Sequence, residues 1–329
     1  MIDPEKPVQS PQQFFGQKAV LRRIFSRIGA ERPQSVAVIG GIKTGKTSLL
    51  NCIAHETIRR EYLDRGDRYL FCRADSAQEL FSDARSFLTG VQRLLGGELS
   101  EQGNHYNRLQ RFVEELHNRG RRLIFLLDDF HLITSNSSFP LEFFSFLRSL
   151  ANNYNLAYVT TSFLELQKLC VIKDIEESPF FNIFTNLSLK PLSPEEGVEL
   201  LSALTGRQAA EVQELVKWSG CFPYVLKLIA RALLAGGGQP GRLDAEKALL
   251  PVLSPYFQQV ISILPPEALN PLKSLARNRE PDPREVHMLR PLIKQGFLRE
   301  ERDSVSVFAP AFTAYLRKSL SKKLLQGRN

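Results

Sequence analysis

The stretch SVAVIGGIKTGKTSLLN, residues 35–51, decides the fold, because it joins a short apolar run, a turn bounded by glycines and a segment of helical period. Within it, Gly40, Gly45, Lys46 and Thr47 complete the pattern G-x-x-x-x-G-K-[ST], which predicts a phosphate-binding loop. In such a loop, backbone N–H groups and the positive end of the following helix attract phosphate. The lysine reaches the β and γ phosphates, and the threonine hydroxyl binds Mg²⁺.

An incidental glycine turn is the alternative interpretation of this stretch. The position of the turn between a predicted strand and a predicted helix favours the phosphate loop. We therefore predict that ATP or ADP is contacted by one continuous set of residues. This set comprises Gly41, Ile42, Lys43, Thr44, Gly45, Lys46, Thr47 and Ser48.

A second stretch, RRLIFLLDDFHLI at residues 121–133, supplies the carboxylates that a nucleotide site requires. Its apolar run predicts a buried strand that ends at Asp128 and Asp129. We predict that Asp128 holds Mg²⁺ together with Thr47, and that Asp129 orients or deprotonates the attacking water. An aspartate pair alone is a weak signal, since such pairs commonly end strands. Downstream of a phosphate loop the signal becomes strong.

Hydroxyl groups end the next predicted strand, at Thr160, Thr161 and Ser162. Ligands of parallel sheets bind at the carboxyl edge, so a polar side chain such as that of Thr161 is a candidate for sensing the nucleotide. The alternative is that these hydroxyls only satisfy the end of the strand. The sequence assigns no arginine finger, and we interpret Arg148 as a surface residue of a helix.

Short apolar runs alternate with longer segments of helical period along the first 190 residues, as at 81–95 and 105–119. This alternation predicts a parallel five-stranded sheet with crossover helices, an α/β fold. The predicted strands are residues 36–39, 68–72, 122–127, 156–161 and 186–190.

The remainder of the chain has a different organisation. It is helical in period to about Leu264, with a flexible connector, AGGGQPG, at 235–241, and Ser193 is predicted to cap a helix that starts at Pro194. Three further helices and a two-stranded hairpin within 296–309 then give the order of a winged-helix domain. Those helices are predicted at 266–276, 283–288 and 290–295. The predicted domains are a tail at 1–12, a P-loop ATPase core at 13–190, a helical lid at 191–263 and a winged helix with a basic tail at 264–329.

With these motifs in place, the chain resembles a STAND-type AAA+ ATPase, close to the origin-recognition ATPases and to the prokaryotic AAA-like proteins. Three further stretches carry the resemblance: FFGQKAVLRRI at 14–24, SPFFNIFTNLSLKPLSPEEGVELL at 178–201 and SGCFPYVLKLIARALL at 219–234. The resemblance implies that Phe15 and Gly16 pack against adenine and that Pro223 belongs to the lid motif G-x-P. It also implies that ATP and Mg²⁺ bind between the sheet edge and the lid.

Some positions depart from the family pattern. Gln17 and Lys18 stand where the family usually has Arg-Glu, and Cys221 replaces the glycine of G-x-P. Ser162 stands where a related group carries a sensing arginine. Asp129 replaces the usual catalytic glutamate of AAA+ proteins. The shorter aspartate side chain predicts slow hydrolysis, although STAND members commonly have this pair.

Charge and cysteine usage indicate where the protein works. The net charge is +8, and residues 251–329 hold 13 Lys and Arg against 7 Asp and Glu. The four cysteines form neither a CxxC pair nor a disulfide framework, which predicts thiols in a reducing compartment. Neither a signal peptide nor a membrane span is recognisable, so we expect a cytoplasmic protein without a membrane partner.

Two functional hypotheses remain from the sequence. The first is a slow ATPase that acts as a nucleotide-controlled switch and recruits a protein partner or a second copy of itself. The second is a DNA-binding AAA+ ATPase, a loader or regulator that uses the basic winged helix. A metabolic kinase is disfavoured, because no small-substrate pocket is indicated. The basic residues available for DNA are Arg290, Lys294, Arg299, Arg302, Arg317, Lys318, Lys322 and Lys323.

Overall fold

The computed structural model describes residues 3–74, 82–96, 104–170, 172–236, 242–301 and 304–326. Within them the chain forms two compact units. The sheet unit comprises Val8–Gly40 and Lys46–Leu189, and the C-terminal unit comprises Met1–Pro7, Gly41–Gly45 and Lys190–Asn329. Most of the predicted connector at 235–241 lies outside the described residues, as does Arg302. The side chains of Lys322 and Lys323 are likewise not described.

The sheet unit contains the predicted five-stranded parallel sheet. Its strand order is β2-β3-β4-β1-β5, and all four neighbouring pairs are parallel. The strands are β1 (Ser35–Ile39), β2 (Tyr69–Ala74), β3 (Arg122–Leu127), β4 (Leu156–Ser162) and β5 (Phe184–Ser188). Every residue of β1 and β4 is buried, which explains why these strands are continuous apolar or small-residue runs instead of alternating ones.

Helices of the sheet unit follow the amphipathic segments of the sequence. Helix α4 places Phe87, Leu88 and Val91 in the core, and α5 places Leu109 and Val113 there, as their apolar spacing predicts. The helices are α1 (Lys18–Ile28), α2 (Lys46–Ala54), α3 (Glu56–Tyr62), α4 (Ala84–Leu94), α5 (His105–Asn118), α6 (His131–Thr134), α7 (Leu141–Asn153) and α8 (Lys173–Glu176).

The C-terminal unit begins with a helix whose start the sequence predicts correctly. Ser193 accepts a hydrogen bond from the backbone N–H of Glu196, and the Glu196 carboxylate accepts one from the N–H of Ser193, a complete capping box. The first helices of this unit are α9 (Pro194–Thr205), α10 (Ala209–Ser219), α11 (Pro223–Gly236) and α12 (Arg242–Ser262).

The last part of this unit differs from the prediction in two places. The expected helix at 283–288 is wrong: the structure has only a 3₁₀ turn at Val286–Leu289, and the residues before it form a turn in which the N–H of Glu285 donates to the Asp282 carbonyl at 2.8 Å. The expected tail after the hairpin instead forms α15 (Pro310–Gln326), which buries Phe312 and Leu316. The other helices and strands in this last part of the C-terminal unit are α13 (Leu269–Ala276), α14 (Arg290–Gln295), β6 (Leu298–Glu301) and β7 (Ser304–Val307). The two strands pair antiparallel.

Among the described residues, none of the helices has both the length and the apolar character needed to cross a bilayer. The four cysteines are free thiols; Cys52, Cys72 and Cys221 are buried, and Cys170 is half-buried.

Candidate nucleotide-binding site

Lys46, the lysine of the predicted loop, is the first residue of α2 and lies in the sheet unit. Its Nζ donates to the carbonyl oxygen of Gly40 at 2.9 Å. Burial lowers the pKa of Lys46, while the charges of Asp129 and Asp128 raise it and oppose that shift. A half-buried ammonium near two carboxylates therefore stands beside the positive end of α2, where it can meet phosphate oxygens.

The two aspartates after β3 are held by a hydroxyl from the neighbouring strand. Thr161 Oγ1 donates to Asp128 Oδ1 at 2.5 Å and accepts from the backbone N–H of Asp129 at 2.8 Å. Thr161 is fully buried and Asp128 is 2% exposed, so the pair of contacts fixes Asp128 in place. The geometry thus gives Thr161 a positioning role and brings together three of the residues that the sequence singled out.

Asp129 has a backbone conformation that few residues adopt. Its φ is 44°, in the left-handed region, which aspartate tolerates better than most residues with a side chain. Its side chain is 38% exposed, in contrast to that of Asp128. The turn therefore separates two neighbouring carboxylates into a buried one and an accessible one, as their predicted roles require.

His131 is a candidate that the sequence analysis missed. Its Nδ1 lies 3.8 Å from Asp129 Oδ1, and its ring packs edge-on against Phe163. Burial and the positive charge of Lys46 lower the pKa of His131 to about 4, so the imidazole is neutral at pH 7. The signal was present in the sequence as a histidine two residues after Asp129, but a lone histidine carries no assignment.

The oxygen ligands of this unit fit Mg²⁺. Asp128 offers a buried carboxylate, and Thr47, in the first turn of α2, offers a hydroxyl. The described residues contain no group of three or more His, Cys, Asp or Glu side chains that would enclose a metal ion. Mg²⁺ suits such a sparse oxygen set, because it keeps several water ligands and is completed by substrate phosphates.

Ser48, also predicted to contact nucleotide, has a partner of its own. Its hydroxyl accepts from the N–H of Val8 at 3.0 Å, and the Asn51 side chain donates to the Val8 carbonyl at 2.7 Å. Together these two α2 residues hold the segment that precedes Phe15 and Gly16 in the chain. Gly16 and Gln17 both have positive φ, 71° and 58°, immediately before α1.

The loop residues Gly41–Gly45 belong to the C-terminal unit, and three consecutive residues of the loop are held there by different contacts. The buried phenol of Tyr256 donates to the carbonyl oxygen of Ile42 at 3.1 Å. Lys43 forms an ion pair with Glu5 at 2.8 Å, and its Nζ lies 5.6 Å from the centre of the Tyr224 ring. The Tyr224 hydroxyl also donates to Glu5.

Gln295 makes the third contact to the loop. A Cβ added at Gly41 would lie 2.7 Å from Gln295 Oε1, so the loop residue has room for hydrogen only. The Gln295 side chain is 2% exposed, and neither its Oε1 nor its Nε2 has a hydrogen-bond partner. A buried amide without partners costs free energy, so the position of the Gln295 side chain beside Gly41 is a destabilising one.

Pro223, the remaining predicted contact, is the first residue of α11. Cys221, which replaces the motif glycine, has φ 59°, a conformation that glycine adopts at lower cost. Phe222 stacks on Phe297 with ring centres 4.2 Å apart. Cys221 thus adopts the left-handed backbone conformation that a glycine favours.

Comparisons with known proteins bear on the family and the fold of the chain. The family model described as Novel STAND NTPase 2 matches residues 30–244. The comparison with curated protein sequences gave no match.

Solved structures share the fold over nearly the whole chain. A Walker-type ATPase of Pyrococcus abyssi has a TM-score of 0.66 at 18% identity, with 95% of this chain and 99% of that chain covered. The ORC2 protein of Aeropyrum pernix, solved in ADPNP–ADP complexes, has a TM-score of 0.58 at 14% identity, with 99% and 97% covered. Cdc6p of Pyrobaculum aerophilum has a TM-score of 0.51 at 13% identity, with 98% of each chain covered.

Proposed function

Because the chain belongs to the Novel STAND NTPase 2 family, we propose that it binds ATP with Mg²⁺ at the loop 40–47, hydrolyses it slowly and uses the bound nucleotide as a switch. The observation that carries the proposal is the arrangement after β1 and β3: a half-buried Lys46 at the start of α2, and Asp128 and Asp129 fixed by Thr161. The structural relative from Aeropyrum pernix, whose complexes contain ADPNP and ADP, supports the choice of nucleotide.

Each of these residues has a distinct task in the proposed reaction. Lys46 and the backbone N–H groups at the start of α2 bind and neutralise phosphate oxygens. Thr47 and Asp128 would hold Mg²⁺, which when bound neutralises charge on the phosphates and orients them. The accessible carboxylate of Asp129 orients water for in-line attack on the γ phosphate and takes up a proton from it. Thr161 keeps both aspartates in place.

The switch part of the proposal rests on the contacts of the loop with the C-terminal unit. Gly41, Ile42 and Lys43 contact Gln295, Tyr256 and Glu5, respectively. A change of loop conformation on nucleotide binding would alter all three contacts, and these lead to α12, α14 and the N-terminal segment. We therefore propose that the lid (191–263) and the winged helix (264–329) respond to the nucleotide and expose a surface for a protein partner or a second copy.

DNA binding through the C-terminal segment ranks below this proposal. Arg299 lies over the Phe308 ring at 3.8 Å, and Arg317 donates to the Ala276 carbonyl at 2.7 Å and to Asn278 Oδ1 at 3.0 Å. Two of the arginines that the sequence offered for phosphate contacts are therefore engaged within their own domain.

The test starts with freshly purified protein. The protein is denatured, and any released nucleotide is identified and quantified by chromatography. About one ADP per chain is the expected result, because a switch in its resting state retains the product of slow hydrolysis. An empty site that binds neither ATP nor ADP in a subsequent titration with Mg²⁺ would overturn the proposal. A site that is empty after purification but binds and exchanges nucleotide rapidly would support the proposed ATPase and contradict the proposed switch.

A further inference from the structure

A cavity lies in the sheet unit at the amino-terminal ends of β2 and β3. Its volume is about 510 Å³, within the range of small-molecule sites. Tyr69 and Arg122 are the first residues of these two strands and lie opposite each other in the sheet register. In a parallel sheet this edge is opposite to the one where Asp128 and Thr161 end their strands. The cavity is therefore a separate feature from the candidate nucleotide site.

Arginine is the dominant charged residue of this cavity. Four arginines line it, Arg22, Arg65, Arg68 and Arg122, against a single carboxylate, Asp64. Arg22, Arg65 and Arg68 are exposed, and none of the three takes part in an ion pair within the described residues. Their guanidinium groups thus remain available to an anion.

Arg122 builds the wall of the cavity and keeps its charge uncompensated. Its Nη1 donates to the carbonyl oxygen of Ala30 at 2.8 Å and to the Tyr69 hydroxyl at 2.7 Å, and its Nη2 donates to the carbonyl oxygen of Glu31 at 3.0 Å. A weaker contact reaches the Gly29 carbonyl at 3.2 Å. All four acceptors are neutral, so these bonds fix the guanidinium without cancelling its positive charge.

Two further features bear on the kind of anion. Tyr62 lines the cavity and stacks on Phe25, with ring centres 4.9 Å apart and planes inclined by 14°. Helix α1, which contributes Arg22, contains four basic residues and no acidic one. Arginine forks match phosphate oxygens in geometry, and aromatic rings beside them are typical of sites that bind nucleotides or single strands.

We propose that this cavity binds a phosphate ester of nucleotide size, with Arg22, Arg65 and Arg68 as its phosphate ligands. The proposal does not depend on nucleotide binding at the loop 40–47. The phosphate ester can come from a free nucleotide or from a segment of single-stranded nucleic acid, and both sources present the same chemistry. A ligand bound in this cavity would contact α1 and the segment that follows α3, at the sheet edge opposite to the aspartates.

Binding is measured on the full chain with Mg²⁺ and without added ADP, because ADP would compete with the probes for the cavity. Two probes are used. Thymidine 5′-diphosphate is titrated by calorimetry, and a fluorescein-labelled ten-residue oligothymidylate is titrated by anisotropy. The test variant is Arg65→Glu/Arg68→Glu, since both side chains are exposed and their replacement spares the core. The matched control is Arg93→Glu/Arg111→Glu, which changes the charge equally at exposed positions outside the cavity. A thermal melt confirms that each variant is folded.

We expect the test variant to lose at least tenfold in affinity for one or both probes and the control to lose less than threefold. Binding of thymidine 5′-diphosphate identifies a free nucleotide as the ligand. Binding of the oligothymidylate alone identifies nucleic acid, and for three phosphate contacts that affinity should fall roughly tenfold or more between 50 and 200 mM salt. Equal losses of affinity in both double variants would overturn the proposal. Failure of both probes to bind the wild-type protein would overturn it as well.

Lys46→Ala separates this inference from the proposed function. In that variant, probe binding should be unchanged if the probe occupies the arginine cavity. Loss of probe binding in Lys46→Ala with no loss in Arg65→Glu/Arg68→Glu would place the probe at the loop 40–47 and overturn the arginine-cavity proposal while sparing the ATPase.

Discussion

The two edges of the five-stranded sheet treat charge in opposite ways. At the carboxyl edge, the half-buried Lys46 interacts electrostatically with the buried Asp128, and Thr161 fixes the carboxylate. At the amino edge, exposed arginines surround a cavity with a single carboxylate. Burial of compensated charge gives rigid, pre-arranged groups, as chemistry requires, whereas exposed uncompensated charge gives attraction for an anion. The comparison predicts that substitutions at the two edges have separable effects.

Removal of the Asp129 charge should have the largest effect. Asp129→Asn keeps a residue that tolerates φ 44°, so it changes the charge with less strain than Asp129→Ala would add. We expect ATP hydrolysis to slow by about 10²–10⁴-fold, the contribution typical of a general base, with nucleotide affinity nearly unchanged. Single-turnover hydrolysis and equilibrium binding measure the two quantities. Arg68→Ala, at the opposite edge, is the control and should hydrolyse at the wild-type rate, whereas wild-type hydrolysis by Asp129→Asn would refute the role of Asp129.

The next largest effect is expected for the loop lysine. Lys46→Ala removes the ammonium group that is proposed to bind the phosphates. Hydrogen bonds to charged groups contribute roughly 1.5–3 kcal/mol. The affinity for ADP should therefore fall about 10–100-fold. Calorimetric titration with ADP and Mg²⁺ measures this loss. Arg65→Ala at the amino edge should leave the affinity of ADP for the loop 40–47 within twofold of wild type. An equal loss in both variants would mean that the two edges are not independent.

Tyr256→Phe tests whether the C-terminal unit holds the loop. This variant removes only the hydroxyl that donates to Ile42, and a neutral hydrogen bond contributes about 0.5–1.5 kcal/mol. We expect ADP to dissociate roughly two- to tenfold faster, as measured by displacement of a fluorescent ADP analogue. Tyr315→Phe, which removes the hydroxyl of a tyrosine on α15, is the matched control. Unchanged dissociation in Tyr256→Phe would show that this contact does not restrain the nucleotide.

The sequence was sufficient for the parts of the fold that local chemistry determines. Short β-branched or apolar runs predicted all five strands to within about two residues, and Ser193 with Glu196 predicted the start of α9. A turn at Asp282–Glu285 replaces the start of the expected helix at 283–288, and the segment expected to be a tail forms a helix that buries Phe312 and Leu316.

For the candidate site, the sequence singled out residues that the structure brings together, but not the contacts that hold them. Motif spacing placed Asp128 and Asp129 at the end of a strand, yet the contacts of Thr161 with both depend on strand order. The contacts of Gln295 and Tyr256 with the loop join positions more than 200 residues apart, and the arginine cavity joins α1 to the starts of β2 and β3. Neither arrangement leaves a local pattern in the sequence.

The smallest predicted effect has an opposite sign from the others and concerns Gln295. Gln295→Met keeps the length of the side chain and removes two buried polar atoms that lack partners. Leaving such a group unsatisfied costs about 1–3 kcal/mol, so the variant should raise the melting temperature of nucleotide-free protein by roughly a few degrees. Gln92→Met is the control: the Oε1 of the buried Gln92 also lacks a partner, but its Nε2 donates to the His105 carbonyl at 3.0 Å, so its replacement should raise the melting temperature less than Gln295→Met or lower it. A lower melting temperature for Gln295→Met would mean that the amide has hydrogen-bond partners in the folded protein. The contact of Gln295 with the loop would then stabilise the protein.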